Sequence, residues 1–381
     1  MLFWLALATF IIVTAAMVAL VRGNRSIRFL RDVPAALPPQ LPRVSLIVAA
    51  RNEERNLEGA LASLLTQDYP ALEVIVVDDR STDATPEILA RAQARHPKLR
   101  VVRIDTLPAG WLGKNHALDR GAAQAAGDIL IFADADIVMH PDAVSRAVAH
   151  ALAASRDHLA ITPEMIAPGR LLGMFMSAFT MYFSLYARPW LASDPHSRCF
   201  IGIGAFNLVR SSVYRAVGGH ARIAMRPDDD IKLGKIIKHA GYSQEMLFGC
   251  GMLGVEWYPS VGALAQGLEK NTLAGVDYSV PAIVVGALAQ TVLFVWPFVA
   301  LACTAGVVLA LNAASCLVLV AACLDQTRYV SVPRTYAAGL PLATVLFIGI
   351  LLRATYVTLR DGGINWRGTH YPLAALKANR V

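Results

Sequence analysis

From Val280 to Leu324 the chain runs without a single Asp, Glu, Lys or Arg. At roughly 20 apolar residues per crossing, such a run is long enough for two membrane helices with a tight turn between them. A second apolar run covers residues 2 to 21 and is followed by Arg22, Arg25, Arg28 and Arg31. Basic residues gather on the cytoplasmic side of a span, so the segment after this helix is expected in the cytoplasm. A cleaved signal peptide would carry a basic stretch ahead of its apolar run, and Leu2 has none. A third run, from about Ala337 to Leu352, extends to Arg360 and reads as one more span. Three spans after a cytoplasmic domain would put the tail outside, whereas Arg353, Arg360, Arg367, Lys377 and Arg380 favour the cytoplasm. One of the runs is therefore re-entrant or interfacial, and the sequence does not say which.

Composition agrees with a membrane protein. Hydrophobic residues make up 55% of the chain and charged residues 17%, with a mean hydropathy of +0.47, too apolar for an ordinary soluble domain. The net charge of +7 sits beside apolar runs rather than among aromatics. That pattern suits anionic lipid head groups and excludes nucleic acid as the expected partner. The five cysteines show no paired metal spacing, so neither a zinc site nor a disulfide framework is indicated. The absence of acidic residues from Val280 to Leu324 counts against ion transport through these helices.

Between the apolar ends lies a different kind of chain. Pro34, Pro38, Pro39 and Pro42 form a stiff linker into Arg43–Ala50, a β-branched apolar run that reads as a buried strand. A polar turn, Arg51 to Asn56, precedes leucines 57, 61, 64 and 65 at helical spacing. A second strand, Glu73 to Val77, ends in Asp78-Asp-Arg-Ser-Thr-Asp83, and a helix near residues 86–96 leads to a third strand, Arg100 to Ile104. This β-α-β-α-β rhythm predicts a mostly parallel sheet covered by helices, an α/β fold with ligands at the carboxyl ends of the strands. A dinucleotide-binding fold would open its first strand into Gly-x-Gly-x-x-Gly. This one opens into Ala49-Ala-Arg-Asn-Glu-Glu54, and Gly202-Ile-Gly204 lacks the third glycine and lies far from the first strand.

Asp128-Ile-Leu-Ile-Phe-Ala-Asp-Ala-Asp-Ile-Val138 is an apolar strand ending in two carboxylates. Side chains alternate along a strand, so Asp134 and Asp136 are expected on one face. With no Lys beside them in sequence they repel each other unless a cation lies between, and hard oxygen ligands suit Mg²⁺ or Mn²⁺. Lys114, in a Gly-punctuated loop entering a helix near Asn115, adds a positive charge to free backbone N–H groups, an anion cradle. Asp228-Asp-Asp230 opens an amphipathic helix, where acidic residues also complement the helix dipole. The aromatic-rich stretch from 160 to 225, with Phe175, Phe179, Tyr182, Phe183, Tyr186 and Trp190, reads equally as core or as a surface against lipid.

Taken in order, residues 45–54, 76–85, 113–118, 134–136 and 228–242 (Ser-Leu-Ile-Val-Ala-Ala-Arg-Asn-Glu-Glu, Val-Val-Asp-Asp-Arg-Ser-Thr-Asp-Ala-Thr, Gly-Lys-Asn-His-Ala-Leu, Asp-Ala-Asp, and Asp-Asp-Asp-Ile-Lys-Leu with a later Ala-Gly-Tyr) resemble a family 2 glycosyltransferase of the GT-A fold. The flanking spans, Pro108-Ala-Gly-Trp-Leu-Gly-Lys114 and Asn365-Trp-Arg-Gly-Thr-His-Tyr371 resemble its membrane-bound members that glycosylate carotenoids, hopanoids and other lipids. The resemblance implies a nucleotide-sugar donor, a UDP-sugar first, and a membrane lipid acceptor. It places the nucleotide sugar on Ala49, Arg51, Glu53, Asp78, Asp79, Lys114, Asp134 and Asp136, with Asp136 and Asp134 on the metal. Asp230 falls at the position of the general base, and Asp229 stands where Glu is more usual, so the base is one of these two. The Gln-x-x-Arg-Trp segment of processive polymer synthases is absent, with Gln266-Gly-Leu-Glu-Lys-Asn271 in its region. A catalytically silent nucleotide-sugar-binding protein would keep these motifs but need no base. The expected layout is a membrane helix over 1–22, a cytoplasmic GT-A domain over 43–250, an interfacial segment over 251–279, two to three membrane helices over 280–358 and a basic tail over 359–381, in the inner (plasma) membrane.

Overall fold

Val44–Ala50 (β1) and Leu72–Asp79 (β2) are apolar on both faces and almost wholly buried, the signature of central strands covered by helices on each side. In the computed structural model, which describes residues 1–37 and 39–381, they sit in a seven-stranded sheet; Pro38 of the linker lies outside the described residues. The sheet runs from Leu99–Ile104 (β3) through β2, β1 and Ile129–Asp134 (β4) to Asn207–Arg210, His158–Thr162 and Gln244–Phe248. β1 pairs in parallel with β2 and β4, and β2 with β3. Asn207–Arg210 runs antiparallel to both its neighbours, which makes the sheet mixed and mostly parallel. β3 closes one edge and exposes Arg100 and Arg103, charges of the kind that blunt an open edge.

Alternation divides the core. Leu46 and Val48 of β1 pack on one side with Leu57, Leu61 and Leu64 of the helix Leu57–Leu65. Ile47 packs on the other with Ala117 and Leu118 of the helix Gly113–Gln124 and Leu233 and Ile237 of the helix Asp229–His239. Register then sets the site. Ala50 is opposite Asp78 and Ala49 is opposite Asp134, so β1, β2 and β4 end level and deliver their polar loops to one edge of the sheet. This α/β unit comprises Ile27–Glu164, Pro189–Val255 and Arg367–Val381.

A second unit comprises Met1–Ser26, Met165–Arg188 and Glu256–Trp366. Four of its helices are long and apolar enough to cross a membrane: Leu2–Ser26, Val280–Cys303, Gly306–Tyr329 and Arg334–Arg360. The second and third are joined by Thr304 and Ala305, with Gly306 at a φ of +57° opening the next helix, where glycine carries no steric penalty. Val280–Cys303 widens into a π-turn at Thr291–Val295, just ahead of Pro297, whose ring obstructs the regular ladder. Leu2–Ser26 and Gly306–Gln326 are tied at their C-terminal ends. Asn24 donates to Gln326 Oε1 at 2.9 Å, and Arg25 pairs with Asp325 at 2.8 Å.

The aromatic stretch divides between the two readings. Phe175 is fully buried, packing with Leu172 of its own helix and with Leu264, Leu268 and Ile350 of neighbouring ones, and Tyr182 stacks on Phe347 at 5.2 Å. Tyr186 at the end of the same helix is 61% exposed.

Candidate active site

The loops after β1 and β2 are clasped together. Asn52, at a φ of +53°, accepts from the Thr82 amide at 2.8 Å and donates its own amide to Ser81 Oγ at 3.0 Å. The Glu53 amide donates to Thr85 Oγ1 at 2.9 Å, and Glu54 accepts from the Ala84 amide at 3.0 Å. These bonds explain why Ser81, Thr85 and Asn52 accompany the acidic residues. The clasp holds Arg51, Glu53 and Asp79 at one edge while satisfying loop amides that would otherwise lack partners. Asp78 is turned inward at 2% exposure and caps the Ser81 amide at 3.1 Å. Asp79 takes a bidentate pair from Arg80 at 2.8 and 2.9 Å, with Arg51 Nη1 at 3.7 Å. Ala49 lies one residue before the end of β1, in register with Asp134.

Glu53 meets a residue from far along the chain. Arg367 pairs with its carboxylate and donates to the Arg51 carbonyl at 2.6 Å. Burial holds the Glu53 carboxyl above its ordinary value, against the pull of Arg367.

β4 stops at Asp134, and Asp136 lies in the turn beyond it. Strand alternation therefore does not account for their proximity, contrary to expectation; the turn does. Nor are they without a cation of the chain's own. Lys114 Nζ sits 2.9 Å from Asp134 and 3.3 Å from Asp229, a link between separate elements that sequence neighbourhood does not reveal. Burial lowers the Lys114 ammonium, but Asp134, Asp229 and Asp230 outweigh it and hold it above the ordinary lysine value. Asp136 is pushed up to about 6 by burial, then by Asp134 and Glu53.

The three aspartates at the start of Asp229–His239 have three different environments. Asp228 is neutralised by Arg226, bidentate at 2.9 Å for both bonds, and by Lys232 at 3.7 Å. Asp229 faces Lys114. Asp230 accepts from the Gly204 amide at 2.7 Å and the Ile231 amide at 2.8 Å. Its carboxyl is raised to about 7 by burial, then by Asp229, with Lys114 opposing. A side chain on Gly204 would start 2.9 Å from Asp134 and 3.4 Å from Asp230, so a glycine here leaves room for both carboxylates, and it lines one pocket with Asp230. Lys114, Asn207, His220 and Asp229 line it as well. The Gly202-Ile-Gly204 pattern thus belongs to the site after all, in a role unrelated to dinucleotides.

Among the described residues, no group of three or more His, Cys, Asp or Glu is arranged to hold a metal. The residues that could begin a metal shell are Asp136 and Asp134, the latter already paired with Lys114. Their mutual repulsion, and a shell that only two carboxylates begin, fit Mg²⁺ or Mn²⁺, which take their remaining oxygens from water and phosphate.

Residues 45–218 match the profile of Glycosyl transferase family 2. Among curated proteins the chain is similar to the beta-monoglucosyldiacylglycerol synthase of Synechocystis sp., 38% identical over 135 residues, which are 32% of this chain and 28% of that protein. It is similar also to the 4,4'-diaponeurosporenoate glycosyltransferases of Staphylococcus haemolyticus, 28% identical over 62% of this chain and 63% of that one, and of Staphylococcus aureus, 25% identical over 87% and 88%. The chain thus spans less than two thirds of the length of the first two relatives. Among solved structures, the mannosyltransferase PcManGT of Pyrobaculum calidifontis, in complex with GDP-Man and Mn²⁺, superposes with a TM-score of 0.56 over 95% of this chain and 99% of that one, at 22% identity. That likeness is one of fold. With the sheet order, the level strand ends and the motif residues gathered at one edge, these matches show that residues 45–218 form a domain of the Glycosyl transferase family 2 type and that the chain has the GT-A fold.

Proposed function

We propose that this protein transfers a sugar from a nucleotide-sugar donor, a UDP-sugar first, to the hydroxyl of a membrane lipid, with inversion at the anomeric carbon. The observation that carries the reading is Asp230, held by two amides beside the Lys114–Asp134–Asp229 cluster. A carboxyl raised toward 7 by burial is suited to accept a proton near neutral pH. In the reaction it takes the proton of the acceptor hydroxyl as that oxygen attacks the anomeric carbon. The bond from that carbon to the phosphate oxygen breaks, and the nucleoside diphosphate leaves. One displacement with no covalent sugar intermediate inverts the centre, as in inverting glycosidases. Lys114 lies where it can offset charge on the departing phosphate. Asp136 and Asp134 would hold Mg²⁺ or Mn²⁺, which supplies Lewis-acid stabilisation of the same leaving group.

The lipid acceptor is supported by the four apolar helices and by the names of the relatives, a diacylglycerol glucosyltransferase and carotenoid glycosyltransferases. Incubating purified protein with labelled UDP- and GDP-sugars and total membrane lipid should give a labelled lipid. Label only in a long water-soluble polymer would overturn the lipid reading.

The arginines after the first helix support a cytoplasmic catalytic unit in the inner membrane. Because Arg367–Val381 belongs to the same α/β unit, single cysteines near Asp134 and at Lys377 should react from the same, cytoplasmic face. Labelling of either from the opposite face would reject this orientation.

A further inference from the structure

The last residues of the chain are the part of the α/β unit that the reaction as described does not use. They run along the loop edge of the sheet and touch one site element after another. Arg367 bridges the Glu53 carboxylate and the Arg51 carbonyl, both on the loop after β1. Tyr371, 6% exposed, accepts from the Gly113 amide at 3.3 Å, one residue before Lys114, and its hydroxyl also faces Arg80, the partner of Asp79. Asn379 accepts from the Met225 amide at 2.9 Å and donates to the Arg222 carbonyl at 3.0 Å, on the loop leading to Asp228. Lys235 on the base helix reaches the Val381 oxygen at 2.6 Å. A segment that only needed anchoring would have little reason to take its two most specific side chains to Glu53 and to the edge of Asp79.

We propose that Arg367 is a donor-binding residue and Tyr371 a positioning residue behind it, and that with Arg51, Glu53 and Asp79 they form the nucleoside end of the donor pocket. The inference rests on the donor reading given above. Its chemistry follows from what converges there. Glu53, Asp79 and Asp134 already take up Arg367, Arg80 and Lys114, and a nucleoside diphosphate would add further negative charge, so the same cations must serve it as well. Arg367 spends two of the five N–H donors of a guanidinium on Arg51 and Glu53, and its side chain remains 45% exposed, with donors left for a ligand. It holds Glu53 as a carboxylate in a setting that disfavours the charge, ready to accept from a nucleoside N–H or O–H. Tyr371 fixes the Gly113 amide and Arg80, and so the spacing between the Asp79 loop and Lys114.

The test uses the full-length protein in detergent, with affinities for UDP and GDP measured in the presence of Mn²⁺ beside donor and acceptor KM. Wild-type protein that binds neither nucleotide would refute the donor reading itself. Given binding by the wild type, Arg367→Ala should weaken nucleotide affinity and raise donor KM about tenfold or more, the worth of one charged hydrogen bond, with acceptor KM unchanged. Arg367→Lys should recover part of the loss, and Tyr371→Phe, which removes only a hydroxyl, should shift donor KM in the same direction by a smaller factor. Nucleotide affinity within twofold of wild type in both Arg367→Ala and Tyr371→Phe would overturn the proposal. So would tighter binding, which would make the segment a competitor of the donor, or an equal rise in acceptor KM, which would make its role purely structural.

Discussion

Asp230→Asn is expected to lower turnover by a factor of about 10² to 10⁴, the usual worth of a positioned base, while donor affinity stays near that of the wild type. The amide keeps the size of the side chain, and its oxygen can still accept from Gly204 or Ile231, so the helix start should hold its shape. What it loses is the ability to take the acceptor's proton. The wild-type rate should also carry the sign of the raised carboxyl. Below about 7 Asp230 is protonated and cannot act as base; above it the carboxylate is present. The rate should therefore fall as pH drops through that region, and the small residual rate of Asp230→Asn should lack this limb. Loss of activity in Asp229→Asn but not in Asp230→Asn would move the base to Asp229. Full activity in both would remove the start of this helix from the chemistry.

Asp136→Asn should act on a different step. It removes one of two carboxylates from a site whose cation affinity depends on charge, so metal-dependent nucleotide binding and turnover should fall together, each by about tenfold or more. In the same preparation, nucleotide affinity measured with and without Mn²⁺ distinguishes the two variants. Metal dependence should survive in Asp230→Asn and vanish in Asp136→Asn. A metal response of wild-type size in Asp136→Asn would show that the cation is held elsewhere.

Much of this site is legible in the sequence because it is built from strand ends. β1, β2 and β4 announce themselves as unbroken apolar runs, and parallel pairing carries whatever follows each run to a common edge. Glu53, Asp79 and Asp134 could therefore be brought together without knowing the register. Contacts between elements are another matter. No spacing shows that Lys114 will sit against Asp134 and Asp229, since that depends on where the helix Gly113–Gln124 packs across Ile47 and Val77. Three consecutive aspartates look interchangeable until Arg226 claims one, Lys114 the second, and two amides the third. Gly204 does not fit a phosphate-binding pattern; it leaves room for two carboxylates, a need visible only once both are in place. Arg367 and Tyr371 lie hundreds of residues from the loops they touch, and a basic, aromatic tail gives no address.

The pairing of Asn24 and Arg25 with Gln326 and Asp325 has a consequence of parity. Helices tied at their C-terminal ends point the same way, so if Leu2–Ser26 crosses the bilayer, Gly306–Tyr329 crosses it in the same sense and finishes on the face where residue 27 emerges. Val280–Cys303 is then the outward stroke and Gly306–Tyr329 the return. With residues 367–381 in the unit that begins at Ile27, a cytoplasmic α/β unit would require the chain to be back on that same face at Arg367. An even number of strokes has already been used, which leaves none for Arg334–Arg360. On that count the helix, though apolar enough to cross, would start and finish on one face. Arg353, paired with Glu269, and Arg360, paired with Asp361, would then sit at head-group depth, where charge is tolerated, rather than in hydrocarbon.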